Sequence, residues 1–348
     1  MTKFEISCHS EKTLRDYRNN LNYFLKTAHR DSESLLMLSQ SQLEDELQEF
    51  CVLLIRRVER GEISPNSVPL FFNGIFKFLK VNRKKFDRSL ITEMYPRRNK
   101  LGGELAISTE QCKIMLNSTG EKRDKALIHC FCATGARPEA LCELQLKHVE
   151  QYQDGFFKVI LYAGDVSEMF TFLHPEASQA LTEYFEWRKS KGEVLTGDSP
   201  VFRSNSHLAS ITKPKSMSMM VMQSIMFRLW RKSGIKRIKT GKRFDLASTT
   251  CFRKRFDTTL EFNPQIPMGV IQYLMNHEGY MSGRHYRRPT VEQVFQACKK
   301  ASSELMIGDE FRLKLELEKS ETKVNEVEFL KKKIANVETI LLELQSRV

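Results

Sequence analysis

Two neighbouring stretches, GFFKVILY (155–162) and EMFTFLHP (168–175), concentrate aromatic and β-branched residues, and AGDVS between them carries turn residues. Together they predict a β-hairpin. The long segments on either side are written in helical period instead. The chain is therefore expected to be mostly α with a small β-sheet.

Upstream, EKTLRDYRNNLNYFLKTA places Leu14, Tyr17, Leu21 and Phe24 at helical spacing behind Ser10, a side chain that can accept from the orphan amides of a helix start. A second helix is predicted over 41–59 and a third over 65–80, behind SPNS. The basic stretch KVNRKKFDRSLITEMYPRRNKLGGE, ending in Gly102-Gly103, reads as a linker. STEQCKIMLNS then opens a new helix, with Ser108 as cap and Glu110 in its first turn, and a further helical segment ends at Gly135. After the hairpin, PEASQALTEYFEWRKSK and SMSMMVMQSIMFRLWRKSGIK return to helix, the methionines of the second reading as adaptable core filling. The expected organisation is a helical domain over 1–98, a mixed domain over 104–306 and a tail over 307–348. In that tail Val327, Leu330, Ile334, Val337, Leu341, Leu344 and Val348 alternate steps of three and four, the seam of a short coiled coil.

The 348 residues suffice for two cored domains. No apolar run approaches the roughly 20 residues of a membrane span. The start, MTKFEISCHSEKTLRDY, lacks the apolar core of a signal peptide, and the eight cysteines include no CxxC pair, so a reducing, cytoplasmic setting is expected. HCFC (129–132) reads as core, and no metal site is expected. Charge is the informative bulk property. The net charge is +12, the last 48 residues carry −2, and the first 300 therefore carry +14. From Lys213 to Arg255 there are 13 basic residues and a single acid, Asp245. That imbalance points to a polyanion partner.

GRHYRRPT (283–290) sets Tyr286 among Arg284, His285, Arg287 and Arg288, with Pro289 keeping the chain extended. Taken alone, this is either a solvated basic loop or a nucleophile held where a phosphate binds. Two further boxes bear on the choice. In ATGARPEALCELQLKHV (133–149), Arg137 stands at a helix mouth, with Pro138 suited to the first helical position and Glu139 to the first turn. In CFRKRFDTTLEFNPQIPMGVIQYLMNHEGYMSGRHYRRPT (251–290), Arg253 opens a helix, VIQYLMNH forms the next, and Tyr286 follows His277 by nine residues.

This ordered set resembles the tyrosine recombinase (phage-type integrase) family. Thr134-Gly135-x-Arg137 with Glu139, Leu141 and Leu144 resembles the family's first box, and Phe252-Arg253-Lys254, Ile271 to His277 and Tyr286 resemble its second. FRKRFDTTL and YRRPT are most similar in style to integrases of archaeal mobile elements. The resemblance covers most of 10–300. It implies an N-terminal helical, SAM-like core-binding domain and an α/β catalytic domain that together clamp duplex DNA, with several protomers, a tetramer on DNA, assembling for recombination. It also implies that Tyr286 takes the DNA 3′-phosphate as a covalent ester and releases a 5′-hydroxyl, with neither ATP nor metal needed. Arg137 and Arg253 would brace the non-bridging oxygens with paired donors, and His277 would add a hydrogen bond. Lys213, Lys215, Arg231, Lys232, Lys236, Lys239, Lys242, Arg243, Arg287 and Arg288 would lie along the DNA backbone.

Two family positions are filled differently. The residue three before Arg253, usually His or Lys, is Thr250, which donates a hydrogen bond but carries no charge. The family's hairpin-turn lysine, the proton donor to the leaving oxygen, has no counterpart in LYAGDVSEMF. Lys158, on the strand before the turn, and Lys254, beside Arg253, are the candidate substitutes. A catalytically impaired DNA-binding protein on the same frame is thus the alternative from another class. A type IB topoisomerase shares the chemistry and ranks below both, and a metal nuclease lacks the clustered carboxylates.

Overall fold

The structure is a computed structural model describing residues 3–8, 10–99, 102–204, 214–240, 243–276, 289–314, 317 and 327–334. Two compact units divide between Leu101 and Gly102. The first is helical: α1 (Lys3–Ile6), α2 (Glu11–Thr27), α3 (Ser32–Met37), α4 (Gln40–Glu59), α5 (Val68–Val81) and α6 (Ser89–Thr92). Ser10 caps α2 by accepting from the Thr13 amide, and Ser39 and Gln42 cap α4 reciprocally. Phe24, Phe50 and Phe72 meet edge to face at 5.1 and 5.5 Å in the centre of its core. The stretch that reads as a linker is largely part of this unit. Ile91 is fully buried, and Phe86 and Tyr95 lie against Phe76 and Phe72 at 5.3 and 5.6 Å. Its many charges hide four apolar side chains (Phe86, Ile91, Met94, Tyr95) that complete the core.

The second unit contains α7 (Thr109–Asn117), α8 (Lys122–Thr134), α9 (Pro138–Cys142), β1 (Val149–Gln151), β2 (Phe157–Leu161), β3 (Met169–Leu173), α10 (Pro175–Ser190), α11 (Met219–Ser233), β4 (Lys239–Thr240), β5 (Arg243–Phe244), α12 (Thr250–Glu261), α13 (Met268–Leu274) and α14 (Val291–Leu305). The predicted hairpin is β2–β3, antiparallel with Val159 opposite Thr171. A third strand, β1, extends it with Glu150 opposite Lys158; three residues are too few for a periodic signal. Phe170 lies 5.4 Å from Tyr273 and Phe172 5.2 Å from Phe295, while α8 and α10 also pack on β3. Covered this way, β3 is apolar except for the buried Thr171 and shows no inside–outside alternation. Met306 and Ile307 are buried, so the core extends past the expected boundary at 306. In the tail, 327–334 is helical with Val327, Leu330 and Ile334 half-exposed; the seam from Val337 to Val348 lies outside the described residues.

Two features of packing yield measurable consequences. Where α2 crosses α5, a methyl on Gly74 would land on the Tyr17 backbone, so the helices touch backbone to backbone. Gly74→Ala should cost about 1–3 kcal/mol by forcing them apart, read as a lower urea midpoint. In the second unit His174, fully buried, caps α10 by accepting the Ala177 amide on Nδ1 at 3.3 Å, which requires a neutral ring. Burial, with repulsion from His129 and Arg255, pushes its pKa down to about 3, from an ordinary 6.5. Between those values the unfolded chain takes up a proton that the folded chain refuses, so stability falls as pH falls below about 6.5. His174→Asn keeps a capping acceptor and should flatten the pH dependence of unfolding between pH 6 and 4 by about 1.4 kcal/mol per pH unit.

Candidate active site

Arg137 is the N-cap residue of α9, with Pro138 in the first turn as its sequence suggests. It is placed there by Gly135, which ends α8 in the left-handed region at φ 56°. A side chain at that position would do more than strain the backbone. A Cβ on Gly135 would sit 2.6 Å from the Phe256 ring, so α12 packs directly against the turn that carries Arg137.

Arg253, on α12, is fixed by the same junction. Its Nη1 donates to the Gly135 carbonyl at 2.9 Å, and its Nη2 donates to the Met275 carbonyl at the end of α13. The guanidinium thus ties together the end of α8, α12 and the end of α13. Burial, and then the neighbouring Arg137 charge, hold its pKa below the ordinary arginine value. Arg253 is thereby bonded two residues before Arg137, which is itself exposed at the start of α9.

Tyr162 completes the group and was not a candidate from sequence, where it merely ends an apolar strand. It is the first residue after β2, held at φ 55° as the chain enters the hairpin turn. Burial raises the pKa of its phenol, against a hydrogen bond and positive charge from Arg137 and a further contribution from Arg253. The turn is tied down from both sides: the Asp165 amide donates to the Tyr162 carbonyl at 2.9 Å, and Asn276 Nδ2 donates to the Ser167 carbonyl at 3.1 Å. Asn276 itself has φ 45°, immediately after the carbonyl that Arg253 grips. The only signal in the sequence for Tyr162 was a polar phenol at a strand end beside a Gly-Asp turn.

The lysine candidates sit elsewhere. Lys158, on β2, lies 3.6 Å from Glu150 and 6.0 Å from the Phe170 ring centre. It stands four positions before Tyr162, about 13 Å at a rise of ~3.3 Å per residue. Lys254 is half-buried on α12, but one residue turns it about 100° around the helix from Arg253. Thr250 is exposed at the first turn of α12. His277, Tyr286, Arg287, Arg288, Lys213 and Lys242 lie outside the described residues.

Of the basic stretch, Lys215, Arg231, Lys232, Lys236, Lys239 and Arg243 are exposed. The stretch is not one solvated face, however. Arg228 pairs with buried Asp124 at 2.5 Å, Arg255 donates to Thr109 and to the Glu304 carbonyl, and Arg237 lies between Trp230 and Phe244 at 4.6 and 4.2 Å. Those three arginines build the fold, and the exposed ones surround them. Among the described residues no group of three or more His, Cys, Asp or Glu is arranged to hold a metal ion. Because Arg253 bridges two carbonyls with a planar fork, Arg253→Lys should lose at least one of them. We expect about 1.5–3 kcal/mol less stability, measured as a lower denaturant midpoint with an unchanged slope.

No protein-family profile matches the sequence, and a comparison with curated proteins returns no match. Solved structures do match. The chain superimposes on a lambda integrase tetramer bound to a Holliday junction with a TM-score of 0.53 and 14% identity, covering 82% of this chain and 75% of that one. XerH site-specific recombinase, bound to palindromic difH substrate in a post-cleavage complex, gives 0.52 and 15%, covering 83% and 79%. The Tn1549 transposon integrase in complex with transposon right end DNA gives 0.51 and 15%, covering 82% and 93%. At such identities the likeness establishes the fold alone: mostly helical with a small antiparallel sheet, the fold of the tyrosine recombinases.

Proposed function

We propose that this protein is a site-specific DNA recombinase that cleaves and rejoins duplex DNA through a 3′-phosphotyrosyl intermediate on Tyr286. The observation that carries the reading is the convergence of Arg137 and Arg253 on one junction, with Arg253 gripping the carbonyl two residues before His277. Two guanidiniums brought to one junction would suit one diffuse anion, and a phosphodiester gaining charge on its non-bridging oxygens is such an anion. Tyr286 follows nine residues after His277, on the segment that α14 closes with its Thr290 cap. A phenol of pKa about 10 becomes an effective nucleophile only beside such cationic support.

Double-stranded DNA as partner, and assembly of several copies on it, are supported by the solved relatives of the fold, which are bound to DNA and in one case tetrameric. The exposed Lys215, Arg231, Lys232, Lys236, Lys239 and Arg243 would meet the backbone, giving affinity more than sequence readout. The half-exposed Val327, Leu330 and Ile334 would serve a helix of another copy. Similarity to integrases of archaeal mobile elements in particular belongs to this reading. The second reading, a DNA-binding protein without cleavage activity, is favoured by a hairpin turn that carries Asp165 and Glu168 but no lysine.

Covalent capture separates the two. Nicked duplexes from the ends of the protein's own genetic element should yield a protein–DNA band that survives denaturation, and Tyr286→Phe should abolish it. Tight binding to the same duplexes with no such band from the unaltered protein would establish the second reading instead.

A further inference from the structure

The second unit holds a pair of thiols for which the recombinase reading has no use. Cys112 on α7 and Cys132 on α8 lie with their sulfurs 3.6 Å apart, both side chains wholly buried and one thiol donating to the other. The protein has eight free cysteines, and these two are in sulfur-to-sulfur contact. Cys130, two residues earlier on α8, is turned about 200° away from Cys132. Cys142 lies instead against the Met219 sulfur, at 3.9 Å. We propose that Cys112 and Cys132 are a redox-modification site, joined by exchange with a small-molecule disulfide into a reversible bond that fastens α7 to α8.

A disulfide holds its sulfurs at about 2.05 Å, so the native contact has about 1.5 Å left to close. The surroundings keep α7 in register for that closure. Ser108 and Gln111 cap it reciprocally, the Ile107 amide donates to the Cys251 carbonyl at 3.3 Å, and Arg255 donates to Thr109 at 2.9 Å. One residue beyond Cys112, Lys113 pairs with Asp309 at 2.8 Å. A bond at Cys112 therefore stiffens a helix that meets α8, α12 and the chain after α14 together.

Burial decides when the bond forms. The hydrogen bond with Cys112, and then burial, push the Cys132 pKa well above that of an ordinary thiol. Thiolate is the form that exchanges, so the closed structure protects the pair. α7 is nine residues long, and so short a helix rests on its packing and opens locally before the whole unit unfolds. The site thus responds to two conditions at once, an oxidising medium and a loosened α7. With oxidised glutathione as the disulfide, one protein thiolate attacks it, forms a mixed disulfide and expels one glutathione thiol. The second protein sulfur then attacks the protein sulfur of that mixed disulfide and expels the other. Two electrons pass from the protein to glutathione, and the two thiol protons end on the two glutathione thiols.

The test incubates the full chain with oxidised and reduced glutathione at neutral pH, without urea and in urea below the unfolding midpoint. Free thiols are then alkylated and the linked peptides mapped by fragmentation. The expected product is a Cys112–Cys132 link that forms faster in the urea. The linked protein should melt about 5–10 °C higher than the reduced protein, and dithiothreitol should reverse the shift. Cys130→Ala should still link, and Cys132→Ala should not. A link through any other cysteine, glutathione adducts alone, or eight alkylated thiols even in the urea would overturn the proposal. So would a linked protein that melts lower, because the contact would then be core packing that closure strains. The mapping and the melting shift need only the unaltered protein, so a variant that fails to fold does not affect the outcome.

Discussion

One side chain holds the second unit's working end together. Arg253 reaches from α12 to the carbonyl that ends α8 and to the carbonyl that ends α13, while three residues further along the same helix Phe256 fills the space that a Gly135 side chain would need. Helix ends leave carbonyls without partners, and a guanidinium with five donors in a plane can satisfy two of them at once. The consequence is that three chain segments distant in sequence share a single reference point. Arg137, Tyr162 and the approach to His277 are all placed relative to it.

Around that point the fold uses buried charge to fix position rather than to gain stability. Glu193 is fully buried between Arg188 and Arg203, at 2.5 and 2.7 Å. Burial alone would raise its pKa, yet the two guanidiniums outweigh it and the carboxyl is held below its ordinary value. Such a network costs desolvation that an apolar core would avoid, and its benefit is a definite geometry. Glu176 does similar work at the other end of the unit, accepting the Ile307 and Gly308 amides at 2.7 Å each, while Arg255 of α12 holds the Glu304 carbonyl. The helix that presents Arg253 is thereby tied to α14, and α10 to the chain that follows it.

How much of this was legible in the sequence depends on the range of the interaction responsible. Helices α2, α4 and α5 of the first unit, the capped start of α7, the hairpin and the Pro-initiated α9 follow from spacing and end chemistry within a few residues, and they are found where expected. β1 was missed because three residues make no period, and the linker was misread because charge around Ile91 and Tyr95 masks their burial. The basic stretch was read too evenly, since composition cannot say that Arg228, Arg237 and Arg255 each have a partner more than six residues away in the chain. Tyr162 was invisible for the same reason: its character comes from Arg137 and Arg253, which only the fold brings to it.

On the proposed reading, the arrangement would favour an anion at this site before any chemistry begins. Arg137 lowers the pKa of Arg253, which means that the two charges repel in the folded protein. Arg253 cannot retreat, because its guanidinium is held by two carbonyls, whereas Arg137 is exposed at the N-cap of α9. An anion between them removes that repulsion, and one that gains charge during reaction is favoured further as it does so. The carbonyl bonds of Arg253 and the tight contact at Gly135 are therefore not incidental packing. On the proposed reading, they would hold the Arg253 charge in place before a phosphate arrives.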